Sequence, residues 1–236
     1  MSMLPQPPPD APAPPPSEAA ILSRRKWKWL WIVGLGSMVV LVASPLFLMR
    51  RRGCYSPVRE AVNDARQIGL ALFEFETEYG KYPDPTTIAA VRKETGTLLS
   101  LGTTSSNDFF RQLIAAGIAQ SEPMFYAETA GGRKPDNIFD TTHALEKGEC
   151  GFTYFLGATE TCNPARPLVV ARMIPGTDRF DPKPFEGKAV ILKADNSVTS
   201  LPIDKHGHAI LLGGNLMDPH HPIWDGHPPV IAWPEL

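Results

Sequence analysis

The stretch that decides the fold is residues 56–83, SPVREAVNDARQIGLALFEFETEYGKYP. Ser56 and Pro57 are typical of the start of a helix, and Gly80 and Pro83 are typical of its end. Between these signals apolar residues recur every three or four positions, which places them on one stripe of a helix over 56–80. Such a stripe must pack against something, and we expect a sheet. The stripe consists of Val58, Val62, Ala65, Ile68, Leu72, Phe75 and Tyr79.

A longer apolar stretch precedes this helix. Residues 29–49 carry no charge and lie between two basic clusters. At about 1.5 Å per residue, a helix of this length spans roughly 31 Å, close to the ~30 Å of a bilayer hydrocarbon core. We therefore predict a transmembrane helix over 29–49, in contact with the lipid bilayer. Its predicted anchors at the two membrane surfaces are Trp29, Trp31, Arg50, Arg51 and Arg52.

The predicted membrane helix divides the chain into a tail and a soluble domain. Residues 1–28 are rich in proline and end in basic residues, which is typical of a disordered tail. We expect this tail in the cytoplasm and a domain over 53–236 on the other side. From Gly53 onward the chain carries 16 Lys and Arg against 23 Asp and Glu, so its surface does not suit nucleic acid.

Composition and periodicity predict the order of elements in this domain. Short helices are expected within 84–118, and residues 120–150 lack any sustained period. Apolar runs over 151–212 indicate strands, with Asp195-Asn196 as a hairpin turn. Residues 213–236 are rich in proline and histidine and are expected to form an extended tail. Helices followed by antiparallel strands define the α+β class.

Two segments resemble a known family. Residues 65–83, ARQIGLALFEFETEYGKYP, look like the end of the long helix in type II secretion pseudopilins and related type IV pilin-like proteins. Residues 188–198, KAVILKADNSV, are similar to the C-terminal hairpin of those proteins. The chain would be an atypical member without a recognisable prepilin peptidase site. The resemblance implies a pilin-like fold, in which the membrane helix leads into a long amphipathic helix packed on an antiparallel sheet.

The resemblance also implies a location and a function. It predicts a single-pass protein of the bacterial inner membrane whose soluble domain faces the periplasm. Its partners would be proteins of a secretion or pilus assembly, with self-association as a further possibility. The alternative is an anchored extracytoplasmic binding or sensor domain, with the histidine-rich end or the irregular region 120–150 as its ligand site. No constellation of catalytic residues is evident, and we expect neither an enzyme nor a cofactor.

The cysteines bear on the compartment. Cys150 and Cys162 lie on either side of a predicted strand, and such a pair suits a short-loop disulfide outside the cytosol. Two unrelated thiols remain the other interpretation.

Two groups of side chains are candidates for metal ligands: histidines and acids of the C-terminal part of the chain. Five of the six histidines follow residue 205, but their spacing matches no metal motif, so we predict no metal site; the candidates would be His206, His208, His220 and His221. Pseudopilins often hold calcium in a loop near the C-terminus, but the acids here lack the dense alternation of a calcium loop. These acids are Asp178, Asp181, Asp195 and Asp218.

Overall fold

The computed structural model describes residues 56–159 and 161–236, and among these residues the longest helix is α1, Pro57–Tyr79. Ser56 holds the N-cap position with extended backbone, although its side chain makes no capping hydrogen bond. Gly80 ends the helix in the left-handed conformation, at φ 77°, and its N–H donates to the Glu76 carbonyl at 2.8 Å. A residue with a Cβ adopts this conformation at a cost, which explains the glycine.

The inner face of α1 carries the apolar stripe. Ile68, Leu72 and Phe75 are fully buried, and Val58 and Ala65 are nearly so. Val62 and Tyr79 are partly buried against the same core. A fully buried side chain of this size contributes about 1.5–3 kcal/mol relative to its exposed state. The stripe therefore holds the helix on the rest of the domain.

Two shorter helices complete the helical layer. Helix α2 is Ile88–Thr95 and helix α3 is Ser106–Ala115. Ser105 and Asp108 form a capping box at the start of α3, which satisfies two backbone N–H groups. The Thr87 hydroxyl donates to Gln112 Oε1 at 2.6 Å and joins the start of α2 to α3. Short 3-10 helices occur at Glu122–Phe125 and Pro222–Trp224.

The main sheet has five strands in the order β4-β3-β2-β1-β7, and every neighbouring pair is antiparallel. A separate two-stranded sheet pairs β5 with β6. The strands are β1 Thr153–Leu156, β2 Pro167–Ala171, β3 Lys188–Lys193, β4 Val198–Pro202, β5 Ile210–Leu211, β6 Gly214–Asn215 and β7 Val230–Ala232.

Both faces of this sheet are covered. On β3, Val190 and Leu192 point to the helical layer, while Ala189 and Ile191 point to the opposite side. Alternating side chains of a strand lie on opposite faces, so a strand buried on both sides reads as a continuous apolar run. The second face packs against the C-terminal segment, where Trp224 is fully buried.

The C-terminal segment differs from the prediction. The apolar runs predicted strands as far as residue 212, but the last of them, Ile210–Leu211, pairs with β6 outside the main sheet. Residues 213–236 were expected to be an extended tail, yet they supply both β6 and β7. Ile231 is opposite Phe155, so β7 forms an edge of the main sheet beside β1. Three residues after two prolines give too short a pattern to indicate a strand.

The predicted fold class is wrong in its membrane part. The structure is α+β with an antiparallel sheet, but among residues 56–159 and 161–236 no helix is both long enough and apolar enough to cross a bilayer. At about 1.5 Å per residue α1 has the length, but its outer face carries charged side chains such as Arg66 and Glu74. The segment 29–49 lies outside the described residues.

Candidate functional site

The outer face of α1 exposes two large apolar side chains. Leu70 is 62% exposed and Phe73 is 60% exposed, although both lie in the middle of a helix whose other side is buried. Residues three and four apart are neighbours on a helix, so Leu70 and Phe73 form one contiguous patch. We define the outer face of α1 by the exposed residues centred on Leu70, with the exposed Glu60 and Glu78 at one margin of the face. The members of the face are Arg59, Asn63, Arg66, Gln67, Leu70, Phe73, Glu74 and Thr77.

Charge on this face is divided between its two halves. Arg59 and Arg66 lie on the N-terminal side of the apolar patch, and Glu74 lies on the C-terminal side. Arg66 and Glu74 are each four residues from Leu70, or about 6 Å along the helix axis. The apolar patch is therefore flanked by opposite charges at equal distances.

Gly69 determines which way this face points. A Cβ at Gly69 would lie 2.1 Å from Asn196 Oδ1 and 2.8 Å from Leu192 Cδ1, so no other residue fits there without a shift. The backbone of α1 thus packs directly on β3 and on the turn after it. This close packing turns the next residue, Leu70, away from the sheet. The sequence pattern alone did not mark Gly69 as a packing residue.

A second candidate site is a group of acidic side chains in the region from the 3-10 helix Glu122–Phe125 to strand β1. Glu122, Asp136 and Glu149 each bring one carboxylate oxygen within 4.8 Å of the other two. Glu122 and Glu149 are fully buried, whereas Asp136 is exposed. We call these three residues the acidic cluster. In the described part of the chain no other group of three such residues meets this spacing.

Hydrogen bonds orient Glu122 in this cluster. Its Oε1 accepts from the Leu145 N–H at 2.5 Å and its Oε2 accepts from the Asn137 N–H at 2.8 Å. Asn137 Oδ1 in turn accepts from the Glu122 N–H at 3.0 Å. Burial raises the pKa of Glu122 above its ordinary value, and the negative charge of Glu149 adds to this rise.

Glu149 is satisfied at one oxygen only. Its Oε2 accepts from the Glu146 N–H at 2.7 Å, while its Oε1 is buried and makes no hydrogen bond. The Arg133 guanidinium has one nitrogen 3.1 Å from this Oε1, an ion-pair distance. Arg133 is half-exposed and also pairs with Glu146, so two carboxylates share one cation.

The four candidate histidines do not converge. The His206 and His208 rings lie 6.3 Å apart, and His208 faces Asp178 at 3.4 Å and Asp204 at 3.6 Å. His220 is exposed. His221 is buried, where Nδ1 accepts from the Ile223 N–H and Nε2 lies 3.2 Å from the Leu211 carbonyl. His221 is therefore bound within a turn of the C-terminal segment.

The candidate calcium acids serve local turns. Asp195 accepts from the Ser197 N–H at 2.9 Å, and Asp218 accepts from the His220 N–H at 2.9 Å. Asp181 pairs with Arg172, and Asp178 faces His208. None of these four acids belongs to the acidic cluster, whose three members were not among the residues predicted from the sequence.

The predicted disulfide is wrong. Cys150 and Cys162 are both free thiols. Cys150 is fully buried, where its sulfur contacts the Ser106 hydroxyl at 3.7 Å and the Phe152 carbonyl at 3.4 Å. Cys162 lies half-buried in the turn after β1 and packs at the margin of the core. Proximity in sequence did not bring the two sulfurs together, because β1 separates them.

The predicted membrane anchors lie outside the described residues. They are Trp29, Trp31, Arg50, Arg51 and Arg52.

Comparison with other proteins adds no family. No family model matches the chain, and neither a curated protein nor a solved structure matches it. The resemblance to pseudopilins therefore has no support from these comparisons. The assignment to a pilin-like, type II secretion class, which depended on that resemblance and on a membrane helix, is withdrawn.

Proposed function

We propose that this domain is a non-enzymatic interaction domain that associates with a second copy of itself through the outer face of α1. The observation that carries the proposal is the exposure of Leu70 and Phe73 between opposite charges. Exposed apolar side chains that form a patch with polar surroundings are typical of interaction surfaces. Apolar side chains that are exposed singly are common on any protein surface, whereas Leu70 and Phe73 are neighbours.

The charge distribution favours a second copy as the partner. In a twofold dimer the same surface contacts itself, so a residue pairs with the symmetry-related position of the other copy. If two α1 helices lie antiparallel with Leu70 on the axis, Arg66 of each copy is opposite Glu74 of the other. The polar Asn63 and Thr77 then face each other in the same way. Antiparallel helices also place their dipoles in the favourable orientation.

The length of α1 limits the area of the contact. A stable interface buries about 1,000 Å² or more in total, and much of the binding energy comes from a few large side chains. Helix α1 has 23 residues, or about 34 Å, which is enough for a contact at the low end of that range. We expect a weak dimer that forms as the concentration rises. Phe73 and Leu70 supply its apolar centre.

The test is sedimentation velocity of the full chain over a range of concentrations. Wild type should shift from monomer to dimer from micromolar toward millimolar protein. Leu70→Glu puts two like charges at the axis and should keep the chain monomeric at every concentration. Leu70 is exposed, so this change leaves the core intact, and circular dichroism checks the fold.

Leu98→Glu is the matched control. Leu98 is 82% exposed, more than Leu70, but it lies after α2 and not on the outer face of α1. This variant should dimerise like wild type. A wild-type chain that stays monomeric throughout, or a Leu70→Glu chain that dimerises normally, contradicts the proposal.

A further inference from the structure

The acidic cluster presents an electrostatic problem that the surrounding protein solves only in part. Two of its three carboxylates, Glu122 and Glu149, are fully buried and lie within reach of the same point. A buried carboxylate is costly unless it is paired or hydrogen-bonded, and two together also repel each other. Some positive charge is needed between them, or one of the two must bind a proton.

Protein groups around the cluster do not supply that charge in full. The cation in contact is Arg133, which is half-exposed and divided between Glu149 and Glu146. Glu149 Oε1 remains buried without a hydrogen bond. The Arg133 nitrogen lies 3.1 Å from this oxygen without a hydrogen bond to it, so the buried oxygen keeps lone pairs for a further ligand.

The geometry of the three oxygens suits one ion. Calcium binds carboxylate oxygens at about 2.3–2.6 Å, so two ligands of the same ion lie up to about 5 Å apart. The oxygens of Glu122, Asp136 and Glu149 fall within 4.8 Å of one another. Magnesium, at about 2.0–2.1 Å, requires ligands no more than about 4.2 Å apart and a stricter octahedron. Separations of up to 4.8 Å all fit calcium, which also accepts an irregular set of oxygen ligands more readily than magnesium does.

Water can supply the remaining ligands of the ion from the exposed side of the cluster. Glu122 and Glu149 form the buried side of the cluster, while Asp136 opens to solvent. Calcium takes six to eight oxygens, which routinely include water molecules on an exposed side. Both oxygens of Glu122 already accept one backbone N–H each, which orients the carboxylate and leaves a lone pair on each oxygen.

We propose that Glu122, Asp136 and Glu149 form a binding site for one divalent cation of the calcium class. The ion joins three points of an irregular segment: the 3-10 helix at Glu122, the exposed loop at Asp136 and the residue before Cys150. Binding therefore closes the segment from 122 to 149 onto the start of β1. The site is separate from the outer face of α1 and stands independently of self-association.

The experiment is a calorimetric titration of the chelator-treated full chain with calcium chloride, repeated with magnesium chloride. We expect one calcium per chain, weaker magnesium binding and a higher melting temperature when calcium is present. Asp136→Asn replaces a charged ligand on the exposed side by a neutral amide and should leave the fold unchanged. It should weaken calcium binding roughly tenfold or more, because affinity follows the number of charged ligands. Glu149→Gln should weaken it at least as much.

Glu128→Gln is the matched control, since Glu128 is an exposed acid of the same segment outside the cluster. It should bind calcium like wild type. The proposal is overturned if wild type neither releases heat nor gains melting temperature at millimolar calcium, or if Asp136→Asn binds as well as Glu128→Gln. It is also overturned if wild type binds no calcium and Glu149→Gln melts at a higher temperature than wild type. The two buried acids would then share a proton and would not hold an ion.

Discussion

Helix α1 and the segment from Glu122 to Glu149 differ in how far polar contacts hold them in place. The helix is fixed by apolar burial, with Ile68, Leu72 and Phe75 fully covered. The segment also buries Phe125 and Leu145 in the core, and its backbone is bound in addition by polar side chains. Glu122 accepts from the Leu145 N–H, and Asn107 donates to the carbonyls of Leu145 and Glu146. Apolar burial tolerates changes of pH and ions, whereas a polar network with buried charge responds to both.

A surface that must keep its shape in order to pair with another copy benefits from the apolar kind of support, as the outer face of α1 does. A loop that responds to an ion benefits from the polar kind, as the acidic cluster does. Each region can therefore be disturbed separately by substitution.

The largest effect is expected from Phe75→Ala on the inner face of α1. Phe75 is fully buried and stacks on Tyr79 with ring centroids 4.4 Å apart. Its removal leaves a cavity between the helix and the sheet, so the free energy of unfolding should fall by about 3–5 kcal/mol. Phe73→Ala, two residues away on the exposed side, should change it by less than about 1 kcal/mol.

Urea unfolding followed by circular dichroism measures both variants, at a protein concentration where the chain is monomeric. Equal losses for Phe75→Ala and Phe73→Ala would mean that the two faces of α1 are not distinguished by burial.

A smaller effect is expected from Asn107→Ala, which disturbs the polar segment. Asn107 is fully buried, and its amide donates to two carbonyls at 3.1 Å and accepts from the Glu235 N–H at 3.0 Å. Its loss leaves buried polar groups with fewer partners and should reduce the free energy of unfolding by about 2 kcal/mol. Asn63→Ala, on the outer face of α1, should stay within about 0.5 kcal/mol of wild type.

Hydrogen exchange gives Asn107→Ala a regional readout. The amides of Leu145 and Glu146, which donate to the buried acids, should lose protection before those of α1. If α1 and this segment lose protection together, the two regions are one cooperative unit and the comparison fails.

Much of this fold could be predicted from the sequence, because its elements have local causes. The apolar residues of α1 repeat with the helical period, and Pro57 and Gly80 mark its ends. The runs at Lys188–Lys193 and Val198–Pro202 are joined by a short polar turn and form adjacent strands. In each case the signal lies within a few residues of the structure it specifies.

The rest depends on contacts between distant residues. Glu122 and Glu149 are far apart in a segment with no period, and only the folded chain brings them together. Cys150 and Cys162 are close in sequence, yet the fold keeps them as separate thiols. The helical period left Leu70 and Phe73 off the apolar stripe, but it could not show that Gly69 packs directly on Leu192 of the sheet.

The central claim, self-association through the outer face of α1, is tested most directly by exchanging its charges. Arg66→Glu and Glu74→Arg each place like charges opposite one another in the proposed dimer and should weaken self-association, by roughly 1 kcal/mol. The double variant restores opposite charges across the axis and should dimerise like wild type in sedimentation velocity. A double variant that is as weak as the single ones, or single variants that associate normally, would contradict the account.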